Sequence, residues 1–226
     1  MINILCYGDS NTYGYDPHTG GRYDESVRWP CRLQTYLGDE YHVIEAGLNG
    51  RTTCYDDPNM ENVNALKTLE TDLEKYDKLD LIAIMLGTND LKEFTGADVN
   101  EIVLGVEKVM MKMKSIMKEK QDRDPIFLIM CPPEIGSAIR QSHFYGEYRE
   151  NSIAKSRMFP TYYRQMAVKN GCMFFDTSEW VKASEADSIH LNVADHVLIA
   201  EKVCDIISSI NKRVSLSFIR NDLTIC

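Results

Sequence analysis

Ser10 could act as a nucleophile, because it follows a short apolar segment that ends in a glycine. Residues 2–7 have the composition of a buried strand, and Gly8-Asp9-Ser10-Asn11-Thr12 comes directly after them. Functional side chains of parallel sheets are usually found at the carboxyl ends of strands. The same position also suits a helix N-cap, where serine is common. Ser10 by itself therefore leaves two interpretations open, a nucleophile and a helix cap.

A nucleophilic serine needs a base for its proton and an anion that orients this base. Of the five histidines, His190 is the best candidate for the base, because it lies in a loop after the last predicted strand, three residues beyond Asp187. This spacing allows the carboxylate to accept a hydrogen bond from one imidazole nitrogen. The alternative is an ordinary turn before a helix, with a histidine on the surface. His196 is expected on the last helix as a surface or packing residue, and no such partner is near in sequence to His18, His42 or His143.

A serine esterase also needs hydrogen-bond donors for the oxyanion. Asn89 has a donor amide after a strand that ends in Gly87, and Gly47 offers a backbone N–H at the end of another strand. Both residues have simpler interpretations, since Asn is common in turns and Gly wherever a positive φ is needed. Arg51 and Thr52 follow Gly47 and belong either to the pocket wall or to a solvated loop.

The elements that must position these residues alternate regularly along the chain. Five apolar segments predict strands, and helical spacing of apolar residues predicts a helix after each of the first four and a last helix from about residue 193. This alternation predicts a parallel sheet with helices on both faces and right-handed crossovers. The predicted strands are residues 2–7, 41–46, 79–86, 126–131 and 172–175, and the predicted helices begin near residues 27, 61, 98, 151 and 193.

Length and composition favour one domain. The chain has 226 residues, 44% of them hydrophobic, and has no linker-like segment or internal repeat. We expect this domain to span residues 1–212 and the remaining residues 213–226 to form a tail that packs on the surface or on a partner subunit. The apolar residues of this tail show no clear period.

Charge and cysteine usage restrict the partners and the compartment. The net charge of −9 argues against nucleic-acid binding, which depends on basic patches. The longest apolar run, residues 81–86, is far too short for a membrane span, and the first residues do not resemble a secretory signal. The seven scattered cysteines contain no CxxC pair and are expected to be free thiols in a reducing cytoplasm.

The motifs together resemble the four blocks of the SGNH (GDSL) hydrolases, in order and each at a predicted strand end. The blocks are Gly8-Asp9-Ser10, then Gly47 with Asn49, then Gly87-x-Asn89-Asp90, and finally Asp187-x-x-His190. The resemblance implies a three-layer α/β/α fold with a flavodoxin-like five-stranded parallel sheet in the order 2-1-3-4-5. It also implies that the protein is a serine esterase that needs no metal or other cofactor.

The resemblance also implies a role for each residue of these blocks. Ser10 would be the nucleophile, His190 the base and Asp187 its orienting carboxylate. The Ser10 and Gly47 N–H groups and the Asn89 side chain would form the oxyanion hole. Asp9, although adjacent to Ser10, is better interpreted as a residue that holds the turn.

Further matches narrow the resemblance to the arylesterase, acyltransferase (perhydrolase) and acetyl-xylan esterase branch. These matches are Gly14 after the first block, Arg28-Trp29-Pro30, the segment 47–53 and Pro132-Pro133. Members of this branch are commonly homo-oligomers in which neighbouring subunits restrict the pocket to small acyl groups. Tyr13, where several relatives have Trp, and Glu134 depart from the pattern and leave the substrate open. The residues expected to contact substrate are Asp9, Tyr13, Asn49, Arg51, Thr52 and Pro133.

The expected activity is therefore hydrolysis of small, acetyl-like esters through an acyl-enzyme on Ser10, with acyl transfer as an additional reaction. Lysophospholipase, thioesterase or sugar O-deacetylase activity in the same family is the alternative. A non-catalytic flavodoxin-like binding module is the alternative of another class. The sequence argues against this module, because neither GxxxxGK[ST] nor GxGxxG follows the first strand.

Overall fold

A computed structural model describes the backbone of residues 1–222 and the side chains of residues 1–210. Strands and helices alternate along this part of the chain, as the sequence predicts. The strands are β1 Ile2–Gly8, β2 Tyr41–Gly47, β3 Leu81–Met85, β4 Ile126–Cys131 and β5 Met173–Asp176. The helices are α1 Ser10–Tyr13, α2 Trp29–Leu37, α3 Ala65–Glu74, α4 Val99–Lys120, α5 Glu150–Lys169 and α6 Val193–Asp222. Short 3₁₀ helices are Asn89–Leu91, Glu93–Thr95, Ile139–Gln141, His143–Gly146 and Thr177–Glu179.

The five strands form one parallel sheet in the order β2-β1-β3-β4-β5, which confirms the predicted fold class and strand order. The register aligns the carboxyl ends of the first three strands, because Gly8 is opposite Gly47 on one side and Met85 on the other. The residues that follow β1, β2 and β3 therefore meet at one edge of the sheet.

Two apolar layers cover the sheet, one on each face. Alternate residues of β3 enter the two layers: Ile82 and Ile84 pack in the cluster with α3, α4 and α5, whereas Leu81, Ala83 and Met85 pack in the cluster with α2 and α6. All five residues are buried. Burial on both faces explains why this strand is apolar nearly throughout rather than alternating. It also fixes the position of the polar segment that follows the strand.

Two helices begin later than predicted. α3 begins at Ala65 rather than near residue 61, because the residues before it form a loop in which the Thr52 N–H donates to the carbonyl of Val63 at 2.9 Å. Val63 is buried in this loop and not on a helix face. α2 begins at Trp29, with Pro30 in its first turn, where a missing N–H costs nothing. The segment that follows Gly8, predicted as a loop, begins with the single turn of α1.

The backbone of α6 continues without a break to Asp222. The proposed boundary at residue 213 therefore falls inside a helix. The predicted packing of the tail on the surface or on a partner concerns side chains that lie outside the described residues. Among the residues described, no helix has both the length and the apolar composition that a membrane span requires.

Candidate active site

The sharp turn after β1 presents the hydroxyl of Ser10 at the edge of the sheet. Only glycine fits at position 8, because a Cβ there would lie 2.1 Å from Oγ1 of Thr12 and 2.7 Å from the carbonyl oxygen of Met85. Asp9 is the N-cap of α1, and its carboxylate accepts the N–H of Asn11 at 3.0 Å. Since Asp9 does the capping, the hydroxyl of Ser10 remains available for another interaction.

Ser10, His190 and Asp187 lie in one hydrogen-bonded chain. Nε2 of His190 is 2.8 Å from Oγ of Ser10, and Nδ1 is 2.5 Å from Oδ2 of Asp187. An ionised Asp187 accepts the Nδ1 proton, which leaves Nε2 as the acceptor for the serine hydroxyl. The structure thus brings together all three residues that the sequence predicts as nucleophile, base and orienting carboxylate.

Asp187 is held in its charged form. Burial acts to raise the pKa of this carboxyl, but hydrogen bonds from the His190 ring and from the N–H groups of His190 and Ile189 outweigh burial, so the pKa lies below its ordinary value. Asp9 differs from Asp187 in two ways. Burial raises the pKa of Asp9 to about 6, and no hydrogen bond joins the Asp9 carboxyl to the imidazole. Of these two carboxylates, Asp187 is therefore the one that contacts the imidazole in its charged form.

The loop that carries His190 is closed on itself by backbone bonds. The N–H of Ser184 donates to the carbonyl of His190 and the N–H of Ser188 to that of Ser184, both at 2.7 Å. Ser188 adopts φ +65°, a left-handed conformation that side chains rarely occupy. Such a conformation persists only where the surrounding structure determines it, as it does between these two hydrogen bonds. The imidazole is therefore presented from a fixed turn.

A cavity of about 290 Å³ opens beside Ser10 and His190. Two aromatic rings flank the imidazole: the centroid of Tyr15 lies 4.1 Å and that of Phe144 5.6 Å from the ring of His190. The size is at the lower end of the range for small-molecule sites. The lining residues are Ser10, Tyr15, Asn49, Gly50, Asp57, Asn59, Met60, Asn89, Lys92, His143, Phe144, Glu147, Tyr148, Ile189 and His190.

The structure places Asn89 in this cavity but not Gly47. A Cβ on Gly47 would lie 2.1 Å from the backbone nitrogen of Tyr13, so this glycine allows β2 to pack closely against α1. Gly50, three residues further on, lines the cavity and adopts φ +76°. Among the described residues, neither the N–H of Gly50 nor that of Ser10 has a hydrogen-bond acceptor. At this end of β2, the glycine that lines the cavity is thus Gly50 and not Gly47, where the sequence predicts the backbone donor.

Of the residues expected to contact substrate, Asn49 lines the cavity. Arg51 does not, because its buried guanidinium lies over the ring of Tyr7, donates to the carbonyl of Gly8 at 2.8 Å and pairs with Asp72 at 3.4 Å. It therefore supports the turn below Ser10 rather than the substrate.

The other four expected contacts also lie outside the cavity wall. Asp9 is buried as the cap of α1, and Oγ1 of Thr52 donates to the carbonyl of Tyr55 at 2.5 Å. The ring of Tyr13 packs under the guanidinium of Arg22, and Pro133 is buried after β4. These side chains are used in packing and turn formation, which the spacing of the motifs does not distinguish from substrate binding.

Much of the cavity wall comes from two segments in which the sequence motifs predict no site residue. These are residues 57–60 and 143–148, irregular or 3₁₀ segments with no hydrophobic period to place them. His143, which has no acidic partner nearby in sequence, stacks on Phe144 with the ring centroids 4.0 Å apart. In the sequence, only the aromatic and charged residues of the second segment could have indicated that it belongs to a binding site.

An ion cluster forms one side of the cavity. Nζ of Lys92 lies 3.1 Å from a carboxylate oxygen of Asp57 and 2.6 Å from one of Glu147. The side chains of Lys92 and Asp57 are 7% and 2% exposed, whereas that of Glu147 is 45% exposed. With two carboxylates and one ammonium group, the cluster gives this side of the cavity a net negative charge and several hydrogen-bonding groups.

A flavodoxin-like sheet with a Ser–His–Asp chain at its carboxyl edge defines a class of α/β ester hydrolases. Residues 4–203 match the GDSL-like lipase/acylhydrolase family, and the chain belongs to this family. The protein is accordingly a carboxylic ester hydrolase, and the formation of an acyl-enzyme is general to the family. This result excludes the non-catalytic binding module considered from the sequence.

Solved structures of esterases are similar to this chain over nearly its whole length. A carbohydrate acetylesterase family member from Sinorhizobium meliloti is 33% identical, covers 92% of this chain and 97% of its own, and has a TM-score of 0.85. The aryl esterase of M. smegmatis is 29% identical, with coverage of 92% and 99% and a TM-score of 0.86. A lipase/acylhydrolase from Enterococcus faecalis, 20% identical with coverage of 92% and 96%, shares the fold at a TM-score of 0.66. No curated protein matched the sequence.

Proposed function

We propose that this protein hydrolyses acetyl and similarly small carboxylic esters, with Ser10 as nucleophile, His190 as general base and Asp187 as the residue that orients the base. The observation that carries the proposal is the distance of 2.8 Å between Nε2 of His190 and Oγ of Ser10, with Asp187 bound to the other ring nitrogen. Nucleophile, base and orienting group are then within hydrogen-bond reach of one another, as covalent catalysis requires.

In the first step, Oγ of Ser10 attacks the ester carbonyl while Nε2 of His190 takes the hydroxyl proton. The tetrahedral intermediate collapses, and its alcohol leaves with the proton returned by His190. In the second step, water gives a proton to His190, attacks the acyl-enzyme and releases the acid and the free Ser10 hydroxyl. An alcohol or peroxide in place of water gives acyl transfer, the additional reaction expected from the sequence.

The oxyanion is stabilised by the N–H groups of Ser10 and Gly50 and by the side-chain amide of Asn89. Two observations support this set: all three residues line the same cavity, and the two backbone N–H groups have no acceptor among the described residues. Preorganised donors of this kind stabilise the charge that develops in the transition state without a reorganisation cost.

The acyl group is small. The cavity volume of about 290 Å³ leaves little room for a long chain beside the rings of Tyr15 and Phe144. The similarity to a carbohydrate acetylesterase agrees with a short acyl group. Lysophospholipase activity, which needs room for a long acyl chain, is the less supported alternative.

A hydroxylated alcohol is the second feature of the proposed substrate, as in a sugar acetate. The ion cluster of Lys92, Asp57 and Glu147 and the amides of Asn49 and Asn59 face the cavity, where they can bond to several hydroxyl groups. The rings of Tyr15 and Phe144 in the same cavity provide the apolar contact that a sugar ring also uses. The similar carbohydrate acetylesterase structure supports this choice over a simple aryl ester.

A substrate panel combined with a nucleophile variant tests the proposal. Ser10→Ala is expected to abolish hydrolysis of p-nitrophenyl acetate and of acetylated sugars, while the exposed Ser26→Ala variant serves as the control with unchanged activity. In the wild type, kcat/KM should fall steeply from acetate to octanoate esters. Mass spectrometry after treatment with a phosphonate should find the adduct on Ser10. Near-full activity of Ser10→Ala would refute the mechanism, and equal rates for all chain lengths would refute the small acyl site.

We further propose that the enzyme acts as a homo-oligomer in a reducing, cytoplasmic compartment. Met60, at the rim of the cavity, and Phe94 are both 39% exposed, and such apolar side chains are suited to a subunit interface. The described cysteines are free, and Cys6 and Cys131 are buried. Light scattering that gives the 25.9 kDa mass of one chain would refute the oligomer.

A further inference from the structure

The side-chain amide of Asn89 is held at both of its ends. Its Oδ1 accepts the phenolic O–H of Tyr148 at 3.0 Å, and its Nδ2 donates to the carbonyl of Arg51 at 3.1 Å. A carboxamide nitrogen has two hydrogens, so one N–H remains for a further acceptor. Because the amide is planar, fixing the oxygen and one N–H also fixes the direction of the second N–H.

The hydrogen bond between Tyr148 and Asn89 is shielded from water. Asn89 is 4% and Tyr148 2% exposed, and both line the cavity that contains Ser10. Burial is the largest cause that raises the pKa of the Tyr148 phenol well above its ordinary value, and nearby carboxylates act in the same direction. The phenol is therefore a neutral donor at every pH at which an esterase would be assayed, so its proton can always be donated to Oδ1.

We propose that Tyr148 is a positioning residue of the oxyanion hole, whose O–H orients the Asn89 amide so that its free N–H is directed at the oxyanion. This inference rests on the proposed function, in which Asn89 is an oxyanion donor. Without the phenolic hydroxyl, the amide keeps one bond, to the carbonyl of Arg51, and can pivot about it. The donor then has to be oriented again in each turnover, which removes part of the advantage of a preorganised site.

Tyr148 comes from a part of the chain distant from Asn89, the segment 143–148, which consists of the 3₁₀ helix His143–Gly146 and the two residues after it. That segment also supplies Phe144, whose ring meets that of Tyr148 edge to face at 6.5 Å. Tyr148 therefore has a packing role as well, in addition to its hydrogen bond. The two roles are separable, because replacement by phenylalanine keeps the ring and removes only the hydroxyl.

Tyr148→Phe is the test, and Tyr163→Phe is its matched control. Tyr163 is also fully buried and donates its hydroxyl to a backbone carbonyl, that of Leu86, at 2.7 Å, but it does not line the cavity. For p-nitrophenyl acetate, we expect Tyr148→Phe to lower kcat by about tenfold or more, with KM changed by less than about twofold, since the donor acts mainly in the transition state. Tyr163→Phe should keep the wild-type kcat, and the two variants should lose similar amounts in thermal midpoint.

A double variant provides a measurement that packing alone would not change. Asn89→Ala should lower kcat by about 10²–10³-fold, the usual loss for one oxyanion donor. If Tyr148 acts through Asn89, adding Tyr148→Phe to Asn89→Ala causes no further loss in kcat. Losses that multiply in the double variant, or an unchanged kcat in Tyr148→Phe alone, would overturn the role of Tyr148. An unchanged kcat in Asn89→Ala would instead show that the oxyanion assignment itself is wrong.

Discussion

Asn11 and Leu191 join the helix that carries Ser10 to the loop that carries His190. Oδ1 of Asn11 accepts the N–H of Leu191 at 3.1 Å, and its Nδ2 lies 3.4 Å from the carbonyl of Ile189. The two contacts are on either side of His190, and Asn11 itself follows Ser10 directly. A buried amide thus fixes the relative position of two residues that are 180 apart in sequence.

We therefore expect Asn11→Ala to impair catalysis although Asn11 does not line the cavity. The variant leaves the N–H of Leu191 unsatisfied, at a cost of about 1–3 kcal/mol in the free energy of unfolding. It also loosens the contact between Ser10 and His190, and small misplacements of reacting groups reduce rates by up to about 10²-fold. Steady-state kinetics and urea unfolding measure both effects. The control is Asn3→Ala, at the other end of β1, where Nδ2 of Asn3 donates to the carbonyl of Lys78. If Asn3→Ala lowered kcat as much as Asn11→Ala, the proposed role of Asn11 in positioning Ser10 and His190 would be contradicted.

Asp187→Asn tests whether the carboxylate sets the tautomer of His190. An asparagine in this position can present its NH₂ to Nδ1, which favours the tautomer that has its proton on Nε2 and cannot accept from Ser10. A decrease in kcat by about 10⁴-fold is expected from this change of tautomer. Asp195→Asn is the control, since Asp195 only accepts the N–H of Asn192 at 2.9 Å. A loss of kcat below about tenfold would mean that Asp187 has a structural role only.

The fold and the meeting of Ser10, Asp187 and His190 could be predicted because polar motifs follow the strands. A parallel sheet brings the strand ends to one edge, so topology places Ser10 and Asn89 together. His190 reaches them on the loop that follows β5, where Asn11 binds the residues on either side of it. Local spacing could not separate Gly47 from Gly50, since Gly47 ends β2 and Gly50 comes only three residues later. Only the close approach of the Tyr13 backbone to Gly47 shows which glycine serves packing and which faces the cavity.

The wall of the cavity could not be predicted in the same way. Lys92 lies in the cavity because its ammonium group pairs with Asp57, 35 residues away, and with Glu147. Pairings of this kind depend on how irregular segments fold over the sheet edge, and no periodicity encodes them. Arg51 and Thr52 are the converse case, because the sequence predicts that they contact substrate but they do not line the cavity. A polar side chain in a loop can bind the backbone as well as a ligand, and the sequence does not distinguish the two.

The pair of Lys92 and Asp57 should behave as a buried ion pair. Lys92→Met leaves the Asp57 carboxylate uncompensated, and a loss of about 3–5 kcal/mol in the free energy of unfolding is expected. Adding Asp57→Asn removes the unpaired charge, so the double variant should recover much of this loss. The control is Lys67→Met, which breaks the exposed pair with Asp56 and should cost at most about 1 kcal/mol. Urea unfolding measures all three, and a double variant as unstable as Lys92→Met would contradict the account.

His196 should make the protein sensitive to acid. The side chain is fully buried under α2, where Nδ1 accepts the N–H of Trp29 at 3.4 Å, and burial, followed by the nearby Arg28 and Arg32, lowers the pKa of this imidazole to about 4. The unfolded chain has the ordinary histidine pKa of 6.5. Between these two values the unfolded state binds a proton that the folded state does not, so the free energy of unfolding falls as the pH is lowered from 6.5 towards 4.

The His196→Asn variant isolates this contribution. Its Oδ1 can replace Nδ1 as the acceptor for Trp29, but it does not titrate. Other groups also contribute to the slope of wild-type stability against pH. Among them are Asp9 and Asp90, because burial raises the pKa of Asp9 to about 6 and that of Asp90 to about 7. These two carboxyls increase the free energy of unfolding as the pH falls, which is opposite to the effect of His196. The difference between the two proteins removes these shared groups. Urea unfolding at pH 7.5, 6 and 5 should show the gap in stability narrowing as the pH falls, by up to about 1.4 kcal/mol per pH unit. Parallel curves would mean that His196 takes up its proton equally in both states.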